Sequence, residues 1–351
     1  MENATIFSTD QQELTRNSED IILGVLNLTE VLVGVPGNSL VLIAVLLSRK
    51  LQTLSNAFIV NLAVADLITC LVIPVYFAGE WAKYYYPTLE PICQVALGIT
   101  HTCVGCSMFT LAAIALNRFL LVLTPISTYR YIYRPWHLFC WIVALWSVPG
   151  MIALFPPMVF NTGKLGFDIS AHTCVTLKDF PTSQQYEYTL VLGFYPVPLS
   201  VIIFCYSGIL IKVVKHKRRL KKNNNQENSA VDKQRCIYFF FPILFRSSFQ
   251  LESTRHKKLT LSPTEVRVTR NFFYVFCAYI LLLTPYAICS FTTCAISSYV
   301  GPIAIANSVV NPFIYGFNHP IFREVFLSFF KCKGVPEPSW FWIFIKRIAT
   351  R

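Results

Sequence analysis

Seven stretches of this chain are apolar over the length of a membrane crossing, and they decide the fold class before any motif is read. They fall at residues 21–48, 55–79, 91–122, 136–158, 189–214, 267–292 and 297–317. A helix of about 20 apolar residues crosses the roughly 30 Å of hydrocarbon in a bilayer. No water is available there, so each stretch must satisfy its own backbone N–H and C=O groups, which selects α-helices; the stretches are also far longer than barrel strands. With 54% hydrophobic and 14% charged side chains, the 351 residues are too apolar for a soluble protein of two ordinary domains. The expected fold is an all-α membrane protein, a seven-transmembrane helix bundle over 21–317 with a short amphipathic helix at 318–333.

The charge pattern orients the bundle. The formal net charge is +12, but the basic residues concentrate between the spans, which argues against nucleic acid as a partner. Arg49 and Lys50 follow the first span, Arg130 and Arg134 the third, and Lys212, Lys215, Lys217, Arg218, Arg219, Lys221 and Lys222 the fifth. These connections, including the loop 215–266, are expected to face the cytosol. Glu2, Asp10, Glu13, Glu19 and Asp20 mark residues 1–20 as an extracellular tail, and 334–351 becomes a cytoplasmic tail. A multi-pass membrane protein with its N-terminus outside follows. Residues 1–20 lack the basic start and apolar run of a signal peptide, so the first span is expected to direct insertion. Asn3-Ala4-Thr5 is a glycosylation acceptor in that tail, whereas Asn27-Leu28-Thr29 lies inside the first span and is expected to stay bare.

Most of the cysteines lie in apolar segments: Cys70, Cys103, Cys106, Cys140, Cys205, Cys277 and Cys289 read as buried thiols packing as small apolar groups. In the amphipathic helix, Phe322, Phe326, Leu327 and Phe330 are expected to face membrane lipid, with Arg323 and Lys331 towards headgroups and Cys332 a palmitoylation candidate. Two apolar runs, 236–249 and 339–345, are too short or interrupted to span and read as membrane-surface patches or errors of gene prediction.

Ionisable and polar residues inside spans are costly and point to function. Asp66 lies in the middle of the second span, with Asn38, Ser107, Asn307, Ser308 and Asn311 at comparable depth on other spans. A hydrogen-bonded polar core, a hydrated cavity or a sodium ion would each accommodate it. Arg118 closes the third span and Glu265 opens the sixth, where the two could pair. Such a desolvated pair adds little net stability, yet stranding one partner costs roughly 3–5 kcal/mol, which makes it a bistable latch. Pro198, Pro285 and Pro312 each remove a helical hydrogen bond and mark bends.

In order along the chain stand Gly37-Asn38, Leu62-Ala63-Val64-Ala65-Asp66-Leu67, Asn117-Arg118-Phe119, Trp146 with Pro156, Pro198 with Tyr206, Pro285, and Asn311-Pro312-Phe313-Ile314-Tyr315. Over about residues 20–332 this set resembles a rhodopsin-like (class A) G-protein-coupled receptor of orphan type. The resemblance implies a receptor that passes an extracellular ligand signal to a heterotrimeric G protein by outward movement of the sixth helix. It implies that Arg118 is the switch arginine and Glu265 its ionic-lock acid, that Tyr206 and Tyr315 swing inward together, and that sodium at Asp66 favours the inactive state. It also implies a Cys93–Cys174 disulfide holding the second outer loop over the ligand cavity. By family position that cavity is faced by Thr100, His101, Val104, Glu187, Leu190, Phe194, Tyr286, Ser290, Gly301 and Ile305.

The departures are informative. Asn117 replaces the acid before the switch arginine and Phe119 the tyrosine after it, which removes local restraints; raised basal activity, lowered by Asn117→Asp, is the expectation. Leu283 stands where the family has its toggle tryptophan, and Met108 and Tyr279 occupy its core relay. Thr100 replaces the aspartate that anchors protonated amines, and Ile305 the lysine that holds retinal. The Asn117-Arg118 start and the Asn-Pro-Phe-Ile-Tyr-Gly ending are similar to amine/melatonin-like receptors, the melatonin-like ones also lacking the amine-binding aspartate. Three rivals remain: a receptor-fold protein with weak or no ligand-triggered signalling, favoured by Leu283; a membrane transporter, for which the paired halves are lacking; and an intramembrane enzyme, for which no ligand or nucleophile cluster is seen.

Overall fold

The computed structural model describes residues 2–81, 89–168, 173–224, 263–292, 299–331 and 338–339. Helix α1 runs Glu2–Leu47, and 3-10 turns at Arg49–Leu51 and Leu54–Asn56 lead into α2 (Ala57–Trp81). Then come α3 (Leu89–Leu123), α4 (Ile126–Ile132) and α5 (Pro135–Val159). An antiparallel hairpin of β1 (Leu165–Asp168) and β2 (Thr173–Thr176) precedes α6 (Ser183–Phe194) and α7 (Pro196–Asn224). Helices α8 (Pro263–Phe291), α9 (Val300–Ile305), α10 (Asn307–Asn318) and α11 (Pro320–Phe330) complete the order. Among the described residues, seven segments are long and apolar enough to cross a membrane: Ile21–Leu47, Leu54–Tyr76, Glu90–Leu123, Pro135–Val159, Ser183–Lys215, Arg267–Phe291 and Val300–Asn318.

Proline chemistry shapes the crossings. Tyr195 closes α6 and Pro196 opens α7, so the fifth crossing is two helices. Pro198 therefore falls in the first turn of α7, where its missing N–H removes no intrahelical bond. Pro285 and Pro312 lie inside α8 and α10, which continue through them. The seventh crossing changes helix at Ala306, whose N–H turns to the Pro302 and Ala304 oxygens. Helix α1 continues outward from the first span to Glu2, through the helix-favouring run Gln11-Gln12-Glu13-Leu14, where the sequence suggests only a tail.

Helix α3 occupies the centre, packed on α2, α5, α7 and the hairpin; α1 lies against α2 and α10, and α8 against α9 and α10. Large apolar side chains such as Leu71, Val95, Met158, Phe204 and Leu281 point out of the bundle, as expected of a lipid-facing surface. Three sequence expectations need correction. Cys140 is exposed and Cys277 half-buried, because they lie on the outward faces of their helices. Cys289 is disulfide-bonded rather than a buried thiol. Phe322 and Phe326 are buried, turned inward against Tyr315 and Gly316, so of the four apolar residues expected to face lipid on α11 only Leu327 and Phe330 point outward. The side chains of Asn3 and Glu265 lie outside the described residues, as do Cys332 and 236–249.

Gly105 shows how closely the central helices approach. A Cβ there would lie 2.7 Å from the Phe194 ring of α6 and 2.8 Å from Pro149 of α5, so three crossings meet over one missing methyl group. Overpacking a filled core costs about 1–3 kcal/mol. Gly105→Ala is expected to lower the melting temperature of the purified protein in detergent by several degrees. Gly301→Ala, where a Cβ meets nothing within 4 Å, should leave it unchanged.

Candidate functional site

A polar cluster lies at the middle of the bundle around Asp66. Its Oδ1 accepts a 2.7 Å hydrogen bond from the Ser107 hydroxyl on α3, and its Oδ2 a 2.8 Å bond from the Asn311 amide on α10. Ser308 on α10 also reaches the carboxylate. The Asn38 amide on α1 donates to the Ser308 carbonyl at 2.9 Å and to the Gly34 carbonyl at 3.0 Å. Four crossings thus converge on one acid. The Oδ1 atoms of Asn307 and Asn311 are buried with no hydrogen-bond partner among the described groups. Amide and carboxylate oxygens are the ligand type that a hard cation takes. A second knot of hydrogen bonds joins α2, α3 and α5: the Trp146 indole donates to Asn61 at 2.8 Å, and the Asn61 amide to Thr110 at 2.8 Å.

At the end of α3 the Arg118 side chain is buried, 5% exposed, and its guanidinium lies 5.0 Å from the centre of the Phe272 ring on α8. The third and sixth crossings therefore meet through a cation–π contact that the sequence did not single out. Phe272 also meets Tyr315 edge-on at 6.2 Å, and Tyr315 stacks on Phe322 of α11 at 5.7 Å. The Tyr315 hydroxyl is buried with no hydrogen-bond partner among the described groups. Tyr206 packs between Phe273 and Phe276 at 5.5 and 6.0 Å. The Asn117 amide donates to the Tyr129 hydroxyl of α4 at 3.1 Å, and that hydroxyl pairs with Ser55 at 2.9 Å, so the residue before the arginine has a restraint of its own. Phe119 packs on Phe204 at 5.4 Å, and the Lys212 ammonium donates to the Val122 carbonyl.

His319 joins the seventh crossing to α11. It is 2% exposed, caps α11 by accepting the Phe322 N–H at Nδ1 (3.4 Å), and meets the Phe322 ring edge-on at 5.0 Å. Burial, reinforced by the Arg118 charge, pushes the imidazole down from 6.5 to about 3, so at neutral pH it is uncharged and its Nδ1 lone pair is free to cap.

At the opposite end of α3, Cys93 is bonded to Cys174 of β2, which fixes the hairpin over the bundle mouth. Beneath it the Tyr76 hydroxyl donates to Thr100 at 2.9 Å, and His101 Nδ1 lies 3.1 Å from the Tyr186 hydroxyl, which donates to the Ala153 carbonyl at 2.8 Å. Thr100 and Phe194 are buried, whereas His101, Val104, Glu187, Tyr286 and Ser290 are half-buried; the Ser290 hydroxyl donates to the Tyr286 carbonyl at 3.0 Å. The Tyr195 hydroxyl, at the break between α6 and α7, pairs with Thr284 on α8 at 2.7 Å. From there a column of rings descends: Tyr195 on Tyr279 at 6.0 Å, Tyr279 on Phe276 at 6.4 Å, Phe276 on Tyr206 at 6.0 Å, all near parallel. Leu283 is buried beside it. The sequence reading noted Tyr279 and Tyr206 separately; only the rotation of α8 shows that they share one stack.

Comparison with known proteins matches this arrangement. A family profile described as "7 transmembrane receptor (rhodopsin family)" covers residues 37–315. The chain is 27% identical over 311 residues to the human neuropeptides B/W receptor type 2, covering 86% of this chain and 83% of that receptor. It is 30% identical over 216 residues to the chicken melatonin receptor type 1C, covering 60% of this chain and 59% of that receptor. For the human melatonin receptor type 1B the figures are 32% over 194 residues, 54% and 51%. The chain thus spans little more than half the length of the melatonin receptors it matches. Squid rhodopsin shares the fold with a TM-score of 0.67 at 20% identity, covering 91% of this chain and 86% of that one.

The His319 cap carries a pH dependence whose sign follows from the depressed value. Above about 6.5 neither folded nor unfolded chain holds the proton, so the contribution is complete; between 6.5 and about 3 the unfolded chain binds it first, and stability falls. At pH 5 the loss is about 2 kcal/mol. His319→Asn keeps a cap acceptor without the titration. The melting temperature in detergent should drop less between pH 7 and pH 5 for this variant than for the wild type.

Proposed function

Because the chain belongs to the rhodopsin family of seven-transmembrane receptors, we propose that it is a plasma-membrane receptor, N-terminus outside, that transmits binding of an extracellular ligand to heterotrimeric G proteins by outward movement of the sixth crossing. The observation that carries this reading is the Arg118 guanidinium held over Phe272. It couples the third and sixth crossings at the end where Lys212, Lys215 and Arg218 gather, a basic surface matched to an acidic partner. A contact of this kind is worth about 1 kcal/mol, so its loss shifts a two-state equilibrium roughly fivefold. Glu265 belongs to the first turn of the same helix.

The ligand enters at the Cys93 end, among Thr100, His101, Val104, Glu187, Phe194, Tyr286 and Ser290. Thr100 is engaged by Tyr76 and offers no counter-ion, so a small amine held by a buried carboxylate at that position does not fit. The ligands named for the relatives, neuropeptides and melatonin, frame the first screen. Ligand contact at Phe194 or Thr284 displaces Tyr195, the ring column shifts against α8, and α8 pivots at Pro285. Arg118 then leaves Phe272, while Tyr315 leaves Phe322 and approaches Tyr206.

Sodium fits the Asp66 cluster through Asp66, Ser107, Asn311 and Asn307; when bound it supplies the charge that holds four crossings together. Replacing sodium by choline should lower the melting temperature of the wild type, and Asp66→Asn should remove at least half of that difference.

One observation favours a second reading, a receptor fold that signals weakly: Leu283 fills the place of a bulky ring lever. Nucleotide exchange on reconstituted G proteins separates the two. The receptor reading expects basal exchange in the wild type, a rise of about fivefold in Phe272→Leu, and loss in Arg118→Ala. Identical background rates for all three, with every G-protein class, would establish the silent reading.

A further inference from the structure

Glu30 is an ionisable residue inside the first crossing that the receptor mechanism leaves unused. It is 6% exposed, and its Oε2 is buried with no hydrogen-bond partner among the described groups. It lies nine residues from Ile21, the start of that crossing, about 13 Å into the membrane at 1.5 Å per residue. A bare carboxylate there would cost several kcal/mol.

Among the described residues no cation is paired with Glu30. On α1 itself the same face carries Asn27, Gly34 and Asn38, spaced by three and four residues, so the stripe is polar from the outer part of the crossing down to the Asp66 cluster. One turn inward from Glu30, a Cβ on Gly34 would collide with the Cys70 sulfur of α2 and lie 3.3 Å from Val309 of α10. The three helices thus close tightly just beneath the acid. Asp66 is one turn from Cys70 along α2. These are the titratable groups facing Glu30 from α2; α9 and α10 carry no Lys, Arg, His, Asp or Glu.

We propose that Glu30 is a second monovalent-cation site of the bundle, separate from Asp66, in which a hydron or a sodium ion neutralises the carboxylate. An oxygen acceptor without a protein donor, walled on the inner side by a close three-helix contact and continued outward by Asn27, suits a small cation entering from the Cys93 end. The site stands on packing and burial alone, so it does not depend on G-protein coupling.

Two measurements on the full-length protein in detergent test it and separate the two cations. If a hydron occupies the site, the infrared carbonyl band of a protonated carboxyl at pH 7 is present in Asp66→Asn and absent from the Asp66→Asn, Glu30→Gln double variant. If sodium occupies it, that band is missing, and the sodium-dependent rise in melting temperature that persists in Asp66→Asn vanishes in the Asp66→Asn, Glu30→Gln double variant. Glu30→Asp serves as the folded control, keeping the acid should Glu30→Gln express poorly. The proposal is overturned if Glu30→Gln changes neither the band nor the residual sodium response.

Discussion

Hydrocarbon offers a polar group no solvent, and the bundle is organised by that constraint. In water the burial of apolar faces would hold the helices together; in lipid the faces gain little by meeting, and close packing and interhelical hydrogen bonds decide how the crossings are rotated. The polar side chains are accordingly shared between helices. Asp66 binds α3 and α10, Asn38 binds α10, and Asn61 ties α2 to Trp146 of α5 and Thr110 of α3. Each of these residues fixes the rotation of its helix, and the apolar side chains around them follow.

The same constraint gives different contacts at the two levels of the bundle. Around Asp66 the partners are short hydrogen bonds from several helices at once. Around Arg118 the contact to α8 is a charge over a ring, and Tyr315 presents a buried hydroxyl that the packed arrangement leaves unmet. A buried, unmet hydroxyl costs roughly 1–3 kcal/mol, which a rearrangement bringing Tyr315 to a polar partner would recover. Hydrogen bonds tie the crossings together at Asp66, whereas a ring contact joins the third and sixth crossings at Arg118.

Much of this was legible in the sequence because lipid makes length and residue type decisive. Seven apolar stretches, an acid at Asp66 with oxygens at matching depth, and a terminal arginine can be read without coordinates. Rotation about a helix axis cannot. Phe272, Phe273, Tyr274 and Phe276 follow one another on α8, and only the packed helix shows that Phe272 is the ring beneath Arg118. On α11 the sequence shows an apolar face but not that Phe322 and Phe326 turn to Tyr315 and Gly316 while Leu327 and Phe330 turn outward. The break at Tyr195 was displaced from Pro198 because a proline in a first helical turn removes nothing, so the discontinuity moves to the residue before the pair of prolines. Glu30 escaped notice because a single acid nine residues into a long apolar run looks like a rim charge until its burial is known.

Leu283 raises the question of what can serve as a lever when the bulky ring is absent. A leucine fills volume but cannot transmit a turn, since its two methyl groups exchange places at little cost. A column of stacked rings behaves differently: sliding Tyr195 by an ångström forces Tyr279 to follow or lose contact, and Tyr279 and Phe276 both belong to α8. Tyr279 is fully buried and its hydroxyl reaches the Phe194 carbonyl at 3.5 Å, so it is held at both its face and its tip. Tyr195 is in turn held by Thr284, the residue immediately before Pro285. The ring that touches the ligand side and the turn that must bend are thus joined by one hydrogen bond of 2.7 Å. In the proposed mechanism the lever has moved from a side chain on the sixth crossing to the break in the fifth.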